Sequence, residues 1–385
     1  MLTSQKKEFS LPTGLTYLNC AYMSPLMKRV EEVGIKALQG KANPAAISAE
    51  DFFSDTEKLR KEYAKLIHTR DPKRIVVIPS VSYGMGNVVQ NMSIEPGDNI
   101  VVTGEQFPSN YYPWQRLCKT KKAHLKIVDP PNETGGRGES WNLRILEAIT
   151  PKTRLLAMGN VHWADGTRFD LRAARDRTRE VGALLVIDGT QSVGALPFDV
   201  NEIQPDALIC AGYKWLMGPY SIGLAYYGPF FDGGVPLEEN WINRVNSEDF
   251  AGLVNFQDEY QPGSLRYEVG ERSNFILVPM LLKALEILNK WKPERIQQYC
   301  ESITINTLRE LKKAGFWIEE AGHRGNHLFG IRLPANIDIN GLKRDLVDQN
   351  ILVSVRGDAV RVSPHLYNDE EDMQKLAQVL YDQVR

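Results

Sequence analysis

Short runs of valine, isoleucine and leucine alternate with longer amphipathic segments between Arg74 and Tyr227. The runs are RIVVIP (74–79), NIVVT (99–103), HLKIV (124–128), RLLAM (154–158), ALLVI (183–187), ALIC (207–210) and SIGLAY (221–226). Such runs are typical of strands that are buried on both faces of a sheet. Helical patterns lie between many of them, over 81–92, 105–119, 141–149 and 171–181. Because this alternation favours parallel strands, the sequence predicts an α/β fold with a mainly parallel central sheet.

The last third of the chain has a different pattern. Long helical patterns precede short strand-like segments and a closing helix; these elements cover 278–290, 293–314, 317–319, 328–333, 351–355, 360–362 and 370–384. Helices that are segregated from a few strands indicate a smaller α+β domain. We therefore predict a large domain over residues 15–265 and a small domain built from residues 1–14 and 266–385.

The composition of the chain argues against several classes of protein. The chain of 385 residues has 46 Lys and Arg against 48 Asp and Glu, so it lacks the basic excess of a nucleic-acid-binding protein. It contains no apolar run long enough to cross a membrane, and its first residues show no apolar signal region. The 4 cysteines and 6 histidines are scattered, without disulfide or metal-site spacing. The sequence predicts a cytoplasmic protein that binds no nucleic acid, membrane or metal.

Polar and aromatic residues follow most of the predicted strands. In an open parallel sheet, ligands bind beyond the carboxyl ends of the strands, so these positions are candidates for one site. They are Ser80, Ser82, Phe107, Asn160, Asp188, Gln191, Tyr213 and Lys214. Taken singly, each has a plain structural explanation, because a serine can cap a helix, a carboxylate can cap a loop and a lysine can extend to solvent.

Taken together, these residues match the requirements of pyridoxal 5′-phosphate (PLP). Its phosphate needs hydroxyls and free N–H groups at a helix N-terminus, which Ser80 and Ser82 would offer. Its ring needs a stacking partner, its ring nitrogen needs a carboxylate and its aldehyde needs an amine. Lys214 lies between an apolar strand and Trp215. It is the candidate for the amine because burial favours a neutral lysine.

Three motifs carry a resemblance to a known family. VIDGTQSVG (186–194), AGYK (211–214) and GP (218–219) resemble the signature of the class V aminotransferases, and Asp188 and Lys214 are 26 residues apart as in that family. These are fold-type I PLP enzymes related to cysteine desulfurases, kynureninases and isopenicillin-epimerase-like proteins. The resemblance spans nearly the whole chain, from Tyr17 to Arg361. It implies the fold-type I transferase fold, and a homodimer with its active site near the subunit interface.

The resemblance also implies roles at the cofactor. Lys214 matches the lysine that forms the Schiff base with PLP, and Asp188 matches the carboxylate at the ring nitrogen; both would be catalytic. The other implied contacts are Ser80, Ser82 and Tyr213 at the phosphate, Phe107 on the ring, and Gln191 and Asn160 at the phenolic oxygen.

Three further residues have implied roles. Ser273 stands near the position of a family threonine that reaches the phosphate of the neighbouring subunit, with Asn274 as the alternative. Arg361 matches the arginine that binds the substrate α-carboxylate, for which a guanidinium fork is well shaped. An ion pair between the domains is the structural alternative for Arg361. Tyr22 is a candidate for contact with the substrate side chain.

The family catalyses several reactions. Desulfurases carry a catalytic cysteine on a loop just before the arginine motif, whereas here RGDAV (356–360) leads directly into that motif without a cysteine. We therefore expect an aminotransferase whose small-molecule substrates are an α-amino acid and a keto acid. A C–S or C–C lyase of the kynureninase kind and an amino-acid epimerase remain open, because the same lysine chemistry serves all of them.

Overall fold

The computed structural model describes residues 2–132, 135–334 and 337–384. Its strands are β1 (Thr16–Tyr17), β2 (Ile75–Ile78), β3 (Asn99–Thr103), β4 (His124–Val128), β5 (Thr153–Gly159), β6 (Leu184–Asp188), β7 (Ala207–Ala211), β8 (Gly223–Tyr227), β9 (Trp317–Ile318), β10 (Phe329–Arg332), β11 (Ile351–Leu352), β12 (Ser354–Arg356) and β13 (Ala359–Val362). Its α-helices are α1 (Lys28–Gly40), α2 (Ser54–Leu66), α3 (Val81–Gln90), α4 (Tyr112–Lys121), α5 (Arg137–Ala148), α6 (Leu171–Val181), α7 (Val200–Ile203), α8 (Leu277–Trp291), α9 (Pro293–Lys313), α10 (Ile339–Asp348) and α11 (Glu370–Asp382).

The seven-stranded central sheet has the strand order β2-β8-β7-β6-β5-β3-β4. Strands β3 to β7 pair in parallel, and β8 is antiparallel to both of its neighbours. Strand β2 therefore runs in the same direction as β3 to β7, and these six strands end at one edge. The predicted α/β fold with a mainly parallel sheet is confirmed.

Helices cover both faces of this sheet, which explains its continuous apolar runs. All four residues of β2 are buried. Ile75 and Val77 join a core with residues of α2 and α8, whereas Val76 and Ile78 join a second core with residues of α3 and α4. Each fully buried side chain of this kind contributes about 1.5–3 kcal/mol to folding.

A four-stranded antiparallel sheet with the order β12-β13-β10-β9 forms a separate apolar core with residues of α9, α10 and α11. The N-terminal strand β1 pairs in parallel with β11, and α8 packs against α1 and α2. Both contacts cross the predicted divisions at residues 14/15 and 265/266. Those domain boundaries stay predictions.

The loop before α4 differs from the sequence prediction. The predicted helix over 105–119 begins only at Tyr112, because Pro108 starts a short 3-10 turn (Pro108–Asn110) and Pro113 lies in the first turn of α4. Helices α1 and α2 lay outside the predicted elements. None of the helices in the described residues combines the length and apolarity needed to cross a membrane.

Candidate active site

A cavity of about 310 Å³ lies at the edge where the parallel strands end. The last residues of three neighbouring strands line it: Gly159 of β5, Asp188 of β6 and Ala211 of β7. The cavity thus occupies the position that the sheet topology favours for a ligand. The predicted residues Ser80, Ser82, Phe107, Asp188, Gln191, Tyr213 and Lys214 also line it.

Two serines lie at the N-terminus of α3 on one side of the cavity. Ser80 is the N-cap, and its hydroxyl accepts a hydrogen bond from the Tyr83 N–H at 3.2 Å. The hydroxyls of Ser80 and Ser82 are 2.9 Å apart. Ser80 is therefore a helix cap as well as a lining residue. The free N–H groups of the first turn of α3 add to an arrangement that suits a phosphate.

Lys214 lies three residues beyond the end of β7 and is only 6% exposed. Burial lowers the pKa of its amine to about 8; Asp188 opposes the effect, and Arg361 and Arg356 add to it. Its Nζ is 5.3 Å from the centroid of the Phe107 ring and 5.6 Å from that of Tyr213. About half of the amine is therefore neutral, and hence nucleophilic, near pH 8, where an exposed lysine is almost entirely protonated.

Asp188 is the carboxylate of the cavity lining. It is buried, and its Oδ1 accepts a hydrogen bond from the Thr190 N–H at 3.0 Å. Burial raises the pKa of Asp188, while Thr190 and Lys214 lower it. A cationic nitrogen placed beside this carboxylate would have its proton stabilised.

Gln191 joins the cavity to two neighbouring segments. Its Nε2 donates to the Ala21 carbonyl at 3.1 Å, and its Oε1 accepts from the Trp215 indole at 3.0 Å. The first bond holds the N-terminal segment against the cavity. The second fixes the residue that follows Lys214.

Arg361 lies on β13 and is buried without a carboxylate partner among the described residues. Its Nη1 donates to the Trp163 carbonyl at 2.8 Å, its Nη2 donates to the Ser354 hydroxyl at 3.1 Å, and its Nε has no partner. Burial and Arg356 lower its pKa to about 10. The alternative of a structural ion pair is therefore absent within the described chain, and the guanidinium keeps capacity for an anion.

Four predicted residues lie outside the cavity lining, and Arg361, described above, is one of them. Asn160 follows β5 but lines a different cleft, with Arg168 and Phe169. The Ser273 hydroxyl donates to the Phe52 carbonyl beside α1 and α2. Tyr22 is 58% exposed and does not line the cavity. Their implied contacts stay predictions.

The cavity also contains residues without an assigned role in the sequence analysis. Thr190 lines it, and its hydroxyl accepts from the Ala211 N–H at 3.1 Å. Tyr220 packs on Tyr213 with ring centroids 4.6 Å apart. Thr190 could have been found from the VIDGTQSVG motif, since it stands between two assigned residues. Tyr220 follows the GP motif and has no comparable signal.

The lining residues fit PLP. The Lys214 amine has neither a hydrogen-bond acceptor nor an ion-pair partner within 2–132, 135–334 and 337–384, so it is available to an aldehyde. The buried carboxylate, the aromatic ring and the helix N-terminus stand around the same cavity, as the ring nitrogen, ring face and phosphate of PLP require.

Comparison with known proteins agrees with this chemistry. The family model for class V aminotransferases matches residues 24–376. The chain is 26% identical to an uncharacterized aminotransferase of Bacillus subtilis over 320 residues, which are 83% of this chain and 81% of that one. It is 24% identical to the isopenicillin N epimerase of Amycolatopsis lactamdurans, covering 97% and 96% of the two chains.

A solved structure shares the fold. A mutant of C-DES, with glycine covalently linked to the PLP cofactor, superposes with a TM-score of 0.86 at 19% identity, covering 99% of this chain and 100% of that one. The predicted fold-type I architecture is thereby confirmed. Because the family model covers nearly the whole chain, this protein belongs to the class V aminotransferase family of PLP-dependent enzymes.

Proposed function

We propose that this enzyme is an aminotransferase, which moves the amino group of an α-amino acid to a keto acid. The proposal rests on one observation: Lys214, a buried amine with its pKa lowered to about 8, shares a cavity with Asp188 and lies near the buried, unpaired Arg361. An amine, a carboxylate and a guanidinium fork are the groups that this reaction needs from the protein.

Each of these residues would have a different role in the reaction. PLP, when bound, supplies an electron sink for negative charge at the substrate Cα. Asp188 would keep the ring nitrogen protonated, and Ser80 and Ser82 would bind the phosphate. Arg361 would orient the substrate through its α-carboxylate. Lys214 would take the proton from the substrate Cα as a general base and deliver it to C4′, the aldehyde carbon of the cofactor, as a general acid.

The composition of the cavity favours amino transfer over an epimerase that uses two bases. Asp188, Tyr213, Lys214 and Tyr220 are the titratable side chains that line it within the described residues. Burial raises the pKa of Tyr213. With Asp188 assigned to the ring nitrogen, Lys214 is the remaining lining group able to act as a base near neutral pH. A single base can move a proton between two carbons, whereas an epimerase with one base on each side of Cα would need a second.

The hairpin beside Arg361 contains no thiol. Arg356 of β12 pairs with Ala359 of β13, so only Gly357 and Asp358 connect the two strands. The four cysteines are all buried elsewhere, and none lines the cavity. This arrangement supports the expectation that the reaction is not a desulfuration through a protein cysteine.

A single-turnover experiment tests the proposal. The loaded enzyme is mixed with one L-amino acid at a time, without a keto acid, and the cofactor spectrum and the products are recorded. Amino transfer predicts about one keto acid per subunit, together with conversion of the cofactor to its amine form. Continued turnover without a keto acid, with release of pyruvate and ammonia or of alanine, would indicate a lyase instead, and accumulation of the D-amino acid an epimerase; either result would overturn the proposal.

The lowered pKa of Lys214 predicts how fast the cofactor-free protein captures PLP. Only the neutral amine attacks an aldehyde, so the capture rate should rise about tenfold per pH unit below pH 8 and level off above it. Stopped-flow absorption between pH 6 and 10 measures this rate. A profile that continues to rise toward pH 10.5 would show that the amine has the pKa of an ordinary exposed lysine.

We also propose that the enzyme is a cytoplasmic homodimer. Large apolar side chains near the cavity are exposed, with Tyr220 at 62%, Tyr22 at 58% and Met23 at 39%. A second subunit placed there would cover them. The four unpaired, buried cysteines suit a reducing compartment. Sedimentation equilibrium should give twice the mass of the chain, and a monomer at micromolar concentration would contradict this.

A further inference from the structure

A second arginine lies on the same face of the hairpin as Arg361. Ser354 of β12 is directly opposite Arg361 of β13, and Arg356 is two residues along β12 from Ser354. Residues two apart on a strand point to the same side of the sheet. Arg356 and Arg361 are therefore diagonal cross-strand neighbours, a relation in which Cα atoms are roughly 7–8 Å apart.

Trp163 lines the cavity and contacts both arginines. The Arg356 guanidinium carbon is 5.5 Å from the centroid of the Trp163 ring, and Arg361 donates to the carbonyl of the same residue. Both arginines are also close enough to Lys214 to lower the pKa of its amine.

Arg356 has no anionic partner in the part of the chain that the structure describes. Its Nη1 donates only to the Val355 carbonyl, at 3.0 Å, and its Nε is buried without a partner. The nearest acidic residue in sequence, Asp358, forms an ion pair with Arg332 instead. Arg356 and Arg361 are neighbouring cations without a carboxylate partner among the described residues, and their repulsion is, after burial, one reason for the lowered pKa of Arg361.

Other contacts hold this arrangement in place. Arg332 contacts Asp358 at the hairpin tip and also Asp165, at 3.3 Å, in the loop after Trp163. Gly357 has a φ of 56°, which a two-residue hairpin turn needs and which glycine adopts without strain. Arg332 thus links the hairpin to the loop that contains Trp163. This link holds Arg356 in a fixed position beside the Trp163 ring.

We propose that Arg356 binds a second carboxylate of the substrate, so that the enzyme prefers dicarboxylic amino acids and keto acids. The α-carboxylate binds Arg361, and the side-chain carboxylate binds Arg356 against the Trp163 ring. The inference rests on the proposed function, because it assigns the substrate class of the same cavity. Charge-assisted hydrogen bonds to a guanidinium fork supply the preference for an anion over an amide.

Calorimetry on the PLP-loaded enzyme tests the inference through binding alone. The probes are succinate and glutarate, each compared with the monocarboxylate of the same chain length, butyrate or valerate. At least one dicarboxylate should bind ten or more times as tightly as its matched monocarboxylate. In Arg356→Gln the ratio of dicarboxylate to monocarboxylate binding constants should fall below about three. In Arg356→Lys this ratio should be intermediate, because lysine keeps the positive charge but lacks the guanidinium fork. Arg344→Gln removes the same charge from an exposed position and should leave the ratio unchanged.

A second measurement separates this inference from the proposed function. Single-turnover rates are compared for L-aspartate with L-asparagine and for L-glutamate with L-glutamine. Equal rates within both pairs, or a wild-type binding ratio near one, would overturn the role of Arg356 while leaving an aminotransferase of neutral amino acids. If none of these or other L-amino acids converts the cofactor to its amine form, the proposed function itself fails. The wild-type ratios decide the question even if Arg356→Gln does not fold.

Discussion

Lys214→Ala is expected to lower the rate of amino transfer by at least about 10⁴-fold. The substitution removes both the amine that holds the cofactor and the group that carries the proton, and positioned acid–base groups alone contribute about 10²–10⁴. The variant should also lose the absorption band of the lysine-bound cofactor and show the band of free PLP when PLP is added. The fold should survive, because the Lys214 amine makes no hydrogen bond to the described chain that would be broken.

The control is Lys126→Ala. Lys126 lies on β4 at the far edge of the sheet, and its amine donates to the Ala148 carbonyl at 3.1 Å. This variant should load PLP with the wild-type spectrum. If Lys214→Ala kept the band of the lysine-bound cofactor, another lysine would hold the cofactor and the assignment of the cavity would be wrong.

Arg361→Ala is expected to lower kcat/KM for amino acids by about 10²- to 10³-fold. The loss follows from the free energy of a charge-assisted, bidentate contact with a carboxylate, for which truncation of one partner costs about 2–5 kcal/mol. Most of the change should appear in KM, because the α-carboxylate is present in the substrate before and during the reaction. Arg361→Lys should recover part of the loss, because it keeps the charge without the fork.

Steady-state kinetics with a fixed keto acid measures this effect, and far-UV circular dichroism checks the fold. The fold is checked because the substitution also removes the hydrogen bonds that Arg361 donates to Trp163 and Ser354. An alanine variant that folds and has the wild-type KM would show that another group binds the α-carboxylate.

The sequence predicted the central sheet well because burial on both faces leaves a strong local signal. Every residue of β2 is apolar and buried, so its run could be recognised without its neighbours. The strand ends then brought Ser80, Asp188 and Lys214 to one edge, as parallel strands require. These residues are far apart in sequence, but their positions followed from the order of strands.

The rest of the site depended on tertiary contacts that leave little trace in the sequence. The loop of Phe107 resembled the start of a helix, and only the prolines and the packing of α4 make it a loop. The sequence showed Arg356 only as the first residue of the RGDAV segment and assigned it no role. Its relation to Arg361 comes from the register of β12 and β13, which a local pattern cannot specify for such short strands. The family motifs likewise do not specify the cleft that Asn160 lines.

Chemical mapping of the cofactor-bound lysine tests the central claim most directly, namely that this cavity is the active site and Lys214 its reactive amine. The PLP-loaded enzyme is reduced with borohydride, digested and analysed by peptide mass spectrometry. We predict one reduced cofactor per chain, attached to Lys214 in the peptide that contains Tyr213 and Trp215. Attachment to a different lysine, or loading without any attachment, would contradict the account.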